Sequence, residues 1–157
     1  MTGDPSAPHH VRVYWEDTDG TGIVYHANYL AYAERARTEM LRALGFEQGR
    51  LLEDTGAAFV VRRLEIDYRS PARLDDLLVI ATTVAETGRA SLRLRQKIAR
   101  EGREIAILHV HLACVDRRGR PIRVPSAIRE AFAAVTPEPR ADDPEPGRTA
   151  AMTREAP

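Results

Sequence analysis

Hydrophobic and polar positions change period several times along the chain. Over 59–69 they alternate, with Leu64, Ile66 and Tyr68 on one side and Arg63, Glu65, Asp67 and Arg69 on the other. That period of two predicts a strand with one buried face. Residues 91–99 alternate again, Leu92, Leu94 and Ile98 against Arg93, Arg95 and Lys97. The runs 77–84 and 104–115 are almost continuously apolar and predict strands deeper in a sheet. Gly88 and Gly102 fall between these segments and predict hairpin turns, and Asp116-Arg117-Arg118-Gly119 closes the last strand. A first strand is predicted at 11–15, which is β-branched and aromatic. The period differs over 28–44, where Leu30, Ala33, Met40, Leu41 and Leu44 recur at helical spacing and Gly45 follows as a left-handed stop. Ala27, Ala31, Ala33, Ala36 and Ala43 keep this helix thin, so a sheet can approach it closely. A loop is predicted around Asp54-Thr55-Gly56, and a short helix at 127–135 behind Pro125-Ser126.

The predicted order is strand, long helix, four strands in succession, short helix. Runs of one element type point to an α+β fold with an antiparallel sheet. A helix of this length reaches ~25 Å at 1.5 Å per residue, and the strands reach ~23–33 Å. A five-stranded antiparallel sheet can therefore wrap around one long central helix, which is the hot-dog fold. One helix leaves the other face of the sheet uncovered, so further copies of the chain are expected to cover remaining apolar area.

The ends differ from the middle. Residues 1–9 are short, polar and predicted to be flexible. From Thr136 the chain carries Pro137, Pro139, Pro144, Pro146 and Pro157, half of its 10 prolines, and almost no large apolar residue. Segment 136–157 is therefore expected to be disordered, leaving one domain over 10–135. The 23 basic and 23 acidic residues balance to a formal net charge of zero, which argues against bulk electrostatic binding of nucleic acid. Cys114 is the only cysteine, so disulfide scaffolds and cysteine-rich zinc sites are excluded. No apolar run approaches the length of a membrane-spanning helix, and the N-terminus has no signal-peptide core, so a cytoplasmic location is expected.

The segment from Arg12 carries the chemistry: Arg12-Val13-Tyr14-Trp15-Glu16-Asp17-Thr18-Asp19-Gly20-Thr21-Gly22-Ile23-Val24-Tyr25-His26-Ala27-Asn28-Tyr29. It resembles the signature of the 4-hydroxybenzoyl-CoA thioesterase family, and within it the Tol-Pal-associated, YbgC-like acyl-CoA thioesterases. The continuation Glu34-Arg35-Ala36-Arg37-Thr38-Glu39, the Val115-Asp116 turn and the Val124-Pro125 strand exit are similar too. The resemblance covers about 10–135. It implies a hot-dog fold, dimers that often pair into tetramers, and hydrolysis of acyl-CoA thioesters without metal or bound cofactor. In the family the catalytic carboxylate sits in Asp-x-x-Gly-[Ile/Val]-Val, which falls on Asp19 and not on Asp17. The family's Val-Tyr-His-Ala histidine falls on His26. Trp15 stands where this branch often has Tyr, so no phenol acts there as an acid. Gly20-Thr21-Gly22 replaces the more common Ala-Gly-Gly.

The same residues can be read physically. A thioester carbonyl needs attack at carbon and a place for negative charge on oxygen. The loop runs into the N-terminus of the long helix, where unpaired N–H groups and the helix dipole favour an anion. The N–H groups near Tyr25 and His26 are therefore the expected oxyanion donors. Asp19, flanked by glycine, can act as a nucleophile giving a mixed anhydride or as a general base on water. Trp15, Gly22 and Asn28 are expected substrate contacts, with a helix cap or loop anchor as the competing role for Asn28. Asp17 is expected to order the loop by a hydrogen bond.

Other carboxylates and cations compete. Glu34 is a rival catalytic carboxylate on the helix. Positions 17–22 mimic the start of a calcium loop, but Asn28 stands where a bidentate carboxylate belongs. His109 and His111 share a strand face without a third ligand spaced to join them, and Cys114 reads as core. Among Arg62, Arg63, Arg69, Arg73, Arg93 and Arg95, part of the 62–73 segment, with Arg62 and Arg63 foremost, is expected to border the pantetheine or nucleotide. The alternative functional reading is a non-catalytic acyl-binding or scaffold protein docking to an acyl carrier protein or an envelope-linked partner. A hydratase or dehydratase would need a His–carboxylate pair in a different motif.

Overall fold

The computed structural model describes residues 3–135. The proline-rich segment 136–157 lies outside the described residues. The elements run β1 His9–Arg12, a 3-10 turn at Trp15–Asp17, α1 Asn28–Ala43, α2 Gln48–Thr55, β2 Ala58–Tyr68, β3 Leu77–Thr87, β4 Ser91–Arg100, β5 Arg103–Val115 and α3 Ser126–Val135. The five strands form one antiparallel sheet in the order β1-β3-β4-β5-β2. This is the expected α+β hot-dog arrangement. Among the described residues no helix is long and apolar enough to cross a membrane.

α1 buries Tyr29, Tyr32, Ala33, Ala36, Met40 and Leu41. Leu92, Leu94 and Ile98 of β4 and Leu108, Val110 and Leu112 of β5 join them in one core, with Ile128 and Phe132 of α3. Cys114 is buried there as well. Small side chains at 33 and 36 bring the helix close enough for a direct polar bridge. Gln96, fully buried on β4, donates from Nε2 to the Ala33 carbonyl at 2.9 Å and to Thr82 Oγ1 at 2.9 Å. Its Oε1 accepts from Arg37 Nη1 at 2.9 Å. Every polar atom of that amide side chain is engaged, so its burial costs little and fixes the helix in register with the sheet.

Three local expectations change. The first strand is β1, ending at Arg12 rather than at Trp15. Asp17 draws residues 14–17 into the 3-10 turn by accepting the Tyr14 N–H on Oδ2 at 2.7 Å, and that bond competes with ladder pairing. α2 is an additional helix where a loop was predicted. It has eight residues with Leu51 its one buried side chain, too short for a period to emerge, and it ends on Gly56 in the left-handed conformation (φ 70°). β2 contains a bulge between Val61 and Arg63. The bulge reverses which parity faces inward, so Phe59 and then Leu64 and Ile66 pack against the core.

The uncovered face of the sheet is not apolar. Across it run Arg63, His111 and Arg93 in one row and Glu65, His109 and Arg95 in the next. Arg63 pairs with Glu65, and Arg93 with Glu86 at 3.5 Å. Exposed apolar side chains lie elsewhere: Val60, Val61 and Tyr68 on the edge strand β2, and Tyr14, Trp15 and Tyr25 in the loop before α1. The area available for further copies is therefore the β2 edge and this loop, rather than the broad outer face.

Replacing Gln96 by Leu keeps the volume but leaves the half-buried Arg37 guanidinium without its acceptor. Urea unfolding at fixed protein concentration should show a loss of about 1–3 kcal/mol with m unchanged. Arg95→Gln on the outer face should stay within about 0.5 kcal/mol.

Candidate functional site

The loop 13–27 is tied down at both ends. Val13 exchanges backbone bonds with the turn at Asp75 and Asp76, and the Val24 N–H donates to the Ala72 carbonyl at 2.9 Å. Asp17 is its hub. The Asp17 carbonyl accepts the Tyr25 N–H at 2.8 Å and Asn28 Nδ2 at 2.9 Å, while its carboxylate accepts the Tyr14 N–H. These bonds fold the loop back on itself, so residues 17 and 25–28 become neighbours. Asp17 is the loop-ordering residue the sequence predicted. Asn28 is its side-chain anchor through Nδ2, the competing role the sequence offered for it.

Asp19 sits at the next turn. Its carbonyl accepts the Gly22 N–H at 3.1 Å, and Gly22 takes φ 81°, a conformation a side chain at that position would strain. Asp19 Oδ1 accepts both the Thr21 N–H at 2.7 Å and the Thr21 hydroxyl at 2.6 Å. The Thr21 hydroxyl, then its N–H, hold the Asp19 carboxyl below the ordinary 3.8, with smaller pulls from the Ile23 N–H and from His26. The carboxylate is thus oriented through one oxygen and charged well into acid.

His26 and Ala27 precede α1, which has no side-chain cap. The Tyr25 N–H, expected as an oxyanion donor, is instead taken by Asp17. Among the described residues the N–H groups of His26 and Ala27 have no hydrogen-bond partner, so the open donors lie one residue further on than expected. The His26 ring is exposed and tilts against Tyr25, ring centroids 4.5 Å apart. The His26 carbonyl accepts the Tyr68 hydroxyl at 2.8 Å. Tyr68 in turn meets Tyr29 edge-on, and Tyr29 Oη accepts the Ala72 N–H at 3.0 Å.

Trp15 stands 77% exposed on the 3-10 turn of this same loop, with Tyr14 and Tyr25 also exposed. Within one chain, Arg62 is at the bulge in mid-strand of β2, and Arg63 is paired with Glu65 on the outer face. The part of the 62–73 segment that does border the loop is its end, where Arg73 bridges Ile23. Glu34 is exposed on α1 and accepts the Thr38 hydroxyl at 2.8 Å. Tyr68 and Ala72 are contributors the sequence did not single out. The period-two pattern placed Tyr68 facing inward, but its hydroxyl's partner is a backbone oxygen 42 residues away. A pocket lined by Leu51, Leu52, Ala58 and Phe59 lies between α2 and β2, beyond the C-terminal end of α1, and none of the candidate residues lines it. In one chain, His26 and Ala27 are exposed and Asp19 is half-buried.

Residues 21–107, more than half of the chain, match the model of the thioesterase superfamily. The match begins two residues after Asp19. Among curated proteins, the chain is 47% identical over 123 residues to the acyl-CoA thioesterase YbgC of Haemophilus influenzae, covering 78% of this chain and 90% of that protein. It is 44% identical over 124 residues to the acyl-CoA thioester hydrolase YbgC of Escherichia coli O157:H7, covering 78% and 92%. Among solved structures, it resembles a thioesterase from Thermus thermophilus complexed with coenzyme A and zinc, at 32% identity, TM-score 0.73 and coverage of 88% and 100%.

Removing the Thr21 hydroxyl removes the largest cause of the lowered Asp19 proton affinity. In Thr21→Val the Asp19 titration midpoint, followed by carboxyl-carbon NMR, should move upward toward 3.8. An unchanged midpoint would show that Thr21 does not hold the charge.

Proposed function

Since this chain belongs to the thioesterase superfamily, we propose that it hydrolyses acyl-CoA thioesters to the free acid and CoA, with Asp19 as the reacting carboxylate and the N–H groups at the start of α1 as the oxyanion site. The observation that carries this reading is the juxtaposition in one loop of an oriented, charged carboxylate and two unpaired backbone donors. The donors are fixed before reaction, and α1 aligns its dipole behind them, so charge on the thioester oxygen is met without rearrangement.

Oδ1 is occupied by Thr21, so Asp19 acts through Oδ2. Held ionised by Thr21, it can meet the thioester directly: Oδ2 bonds to the carbonyl carbon, the C–S bond breaks, and CoA leaves as a thiolate that takes a proton from solvent. Water then cleaves the mixed anhydride, releasing the acid and restoring Asp19. As a general base on water Asp19 would reach the same products. His26 contributes its N–H and a nearby ring. Trp15 and Gly22 border the space where the acyl thioester lies, and Arg73 is better placed than Arg62 or Arg63 to meet CoA phosphates. An acyl carrier protein is a second possible bearer of the same thioester.

A second copy completes the site. Chemistry of this kind needs a sheltered carbonyl, and in one chain the loop is open. β2 is an edge strand of 11 residues with Val60 and Val61 exposed, the kind of edge that pairs with another chain. Pairing there gives at least a dimer.

Free-thiol detection over a panel of acyl-CoA substrates tests the activity. Asp19→Asn should lower kcat by roughly 10²–10⁴ with KM little changed. Asp17→Asn should cost about tenfold or less, because its amide oxygen can still accept the Tyr14 N–H. Glu34→Gln matching the Asp19 effect would move the chemistry to α1.

Light scattering at micromolar concentration should give at least twice the 17.5 kDa chain mass. A stable single-chain species would overturn the oligomer.

A further inference from the structure

Tyr68 lies at the last position of β2, and its ring packs edge-on against Tyr29 with centroids 5.6 Å apart. Its hydroxyl donates to the His26 carbonyl. In a trans peptide the carbonyl of one residue and the N–H of the next point in opposite directions in one rigid plane. Whatever holds the His26 carbonyl therefore aims the Ala27 N–H. The flanking peptides are held, with the Asn28 N–H on the Tyr25 carbonyl at 2.9 Å and the Leu30 N–H on the Ala27 carbonyl at 3.1 Å, but among the described residues the 26–27 peptide itself is bonded through the Tyr68 hydroxyl alone. The His26 and Ala27 N–H groups bond to nothing among the described residues, no side chain caps α1, and residue 27 precedes the first helical residue.

We propose that Tyr68 is a positioning residue for the reaction, its hydroxyl fixing the plane of the 26–27 peptide so that the Ala27 N–H joins the His26 N–H as an aimed donor to the thioester oxygen. The proposal rests on the reading of this helix start as the oxyanion site. Burial keeps the Tyr68 phenol above its ordinary value, so it remains protonated and donating across the neutral range. The hydroxyl comes from a strand, not from the loop it restrains. A strand bonded along β5 moves less than the loop, so the aim of the peptide is referred to the rigid part of the molecule.

Tyr68→Phe tests this, because it keeps the ring against Tyr29 and removes only the donor. In full-length protein without substrate, backbone NMR relaxation should show the Ala27 amide losing order, from about 0.85 to about 0.6 or below, with β2 and the body of α1 unchanged. On the best acyl-CoA, kcat should fall about tenfold, less than the loss of a whole oxyanion donor, with KM within twofold. Binding of an S-alkyl-CoA thioether, which has no carbonyl oxygen, should be unchanged. An Ala27 amide as rigid in Tyr68→Phe as in the parent overturns the proposal whatever the activity. So does a loosened amide with kcat within twofold, or a kcat loss matched by weaker thioether binding and a lowered Tm. Asp19→Asn run alongside separates the two readings: if it abolishes turnover while Tyr68→Phe is silent, the site stands and the clamp falls.

Discussion

The structure depends on how closely α1 lies against the sheet. Ala33 and Ala36 remove the side-chain bulk that would hold the helix off, and Gln96 then reaches from β4 to a helix carbonyl. An apolar contact alone would let the helix slide or rotate among similar packings. A buried amide with all its bonds made selects one position, because any other leaves it unpaired in a dry interior. Once the helix is placed, its first residues are placed too. The loop needs only to be brought to them, and Asp17 does that by collecting Tyr25 and Asn28 on one carbonyl oxygen.

Asp17 and Asp19, two residues apart, are divided by what they face. Asp17 turns its carboxylate back to a backbone N–H of its own turn and its carbonyl inward, so it is spent on geometry. Asp19 is held chiefly through a neighbouring threonine in a turn next to glycines, which orients it without enclosing it. Identical side chains on one short segment thus divide into one spent on building the loop and one left oriented at its rim, the one we propose reacts. The same division applies to the N–H groups: the Tyr25 donor is spent building the loop, and those of His26 and Ala27 are left unpaired among the described residues.

Long periodic segments were legible in the sequence. α1 and strands β2 to β5 fall where the spacing of apolar residues puts them, and Gly45 ends α1 as expected, at φ 93°. Elements decided by one side chain reaching its own backbone were not. The 3-10 turn replaces the end of the first strand because of the Asp17 carboxylate, and α2 is too short to show a period. The bulge at Arg62 carries no composition signal, and it is what lets odd-numbered Phe59 share the inner face with even-numbered Leu64 and Ile66. At the site, the motif singled out Asp19 and His26 as candidates, but which N–H groups stay free is a matter of hydrogen-bond partners across the loop. The part of Tyr68 depends on a contact between segments distant in sequence. Periodicity reports the face a residue takes, and says nothing of the atom at its tip.

The burial of Cys114 bears on the product. Its thiol is fully enclosed, faces the Arg123 carbonyl, and burial holds it above its ordinary value. Exchange with a disulfide requires an accessible thiolate. The chain has no other cysteine. A protein that liberates a free thiol at every turnover thus offers that product no accessible sulfur, and a mixed disulfide with CoA would first require the folded chain to open around Cys114.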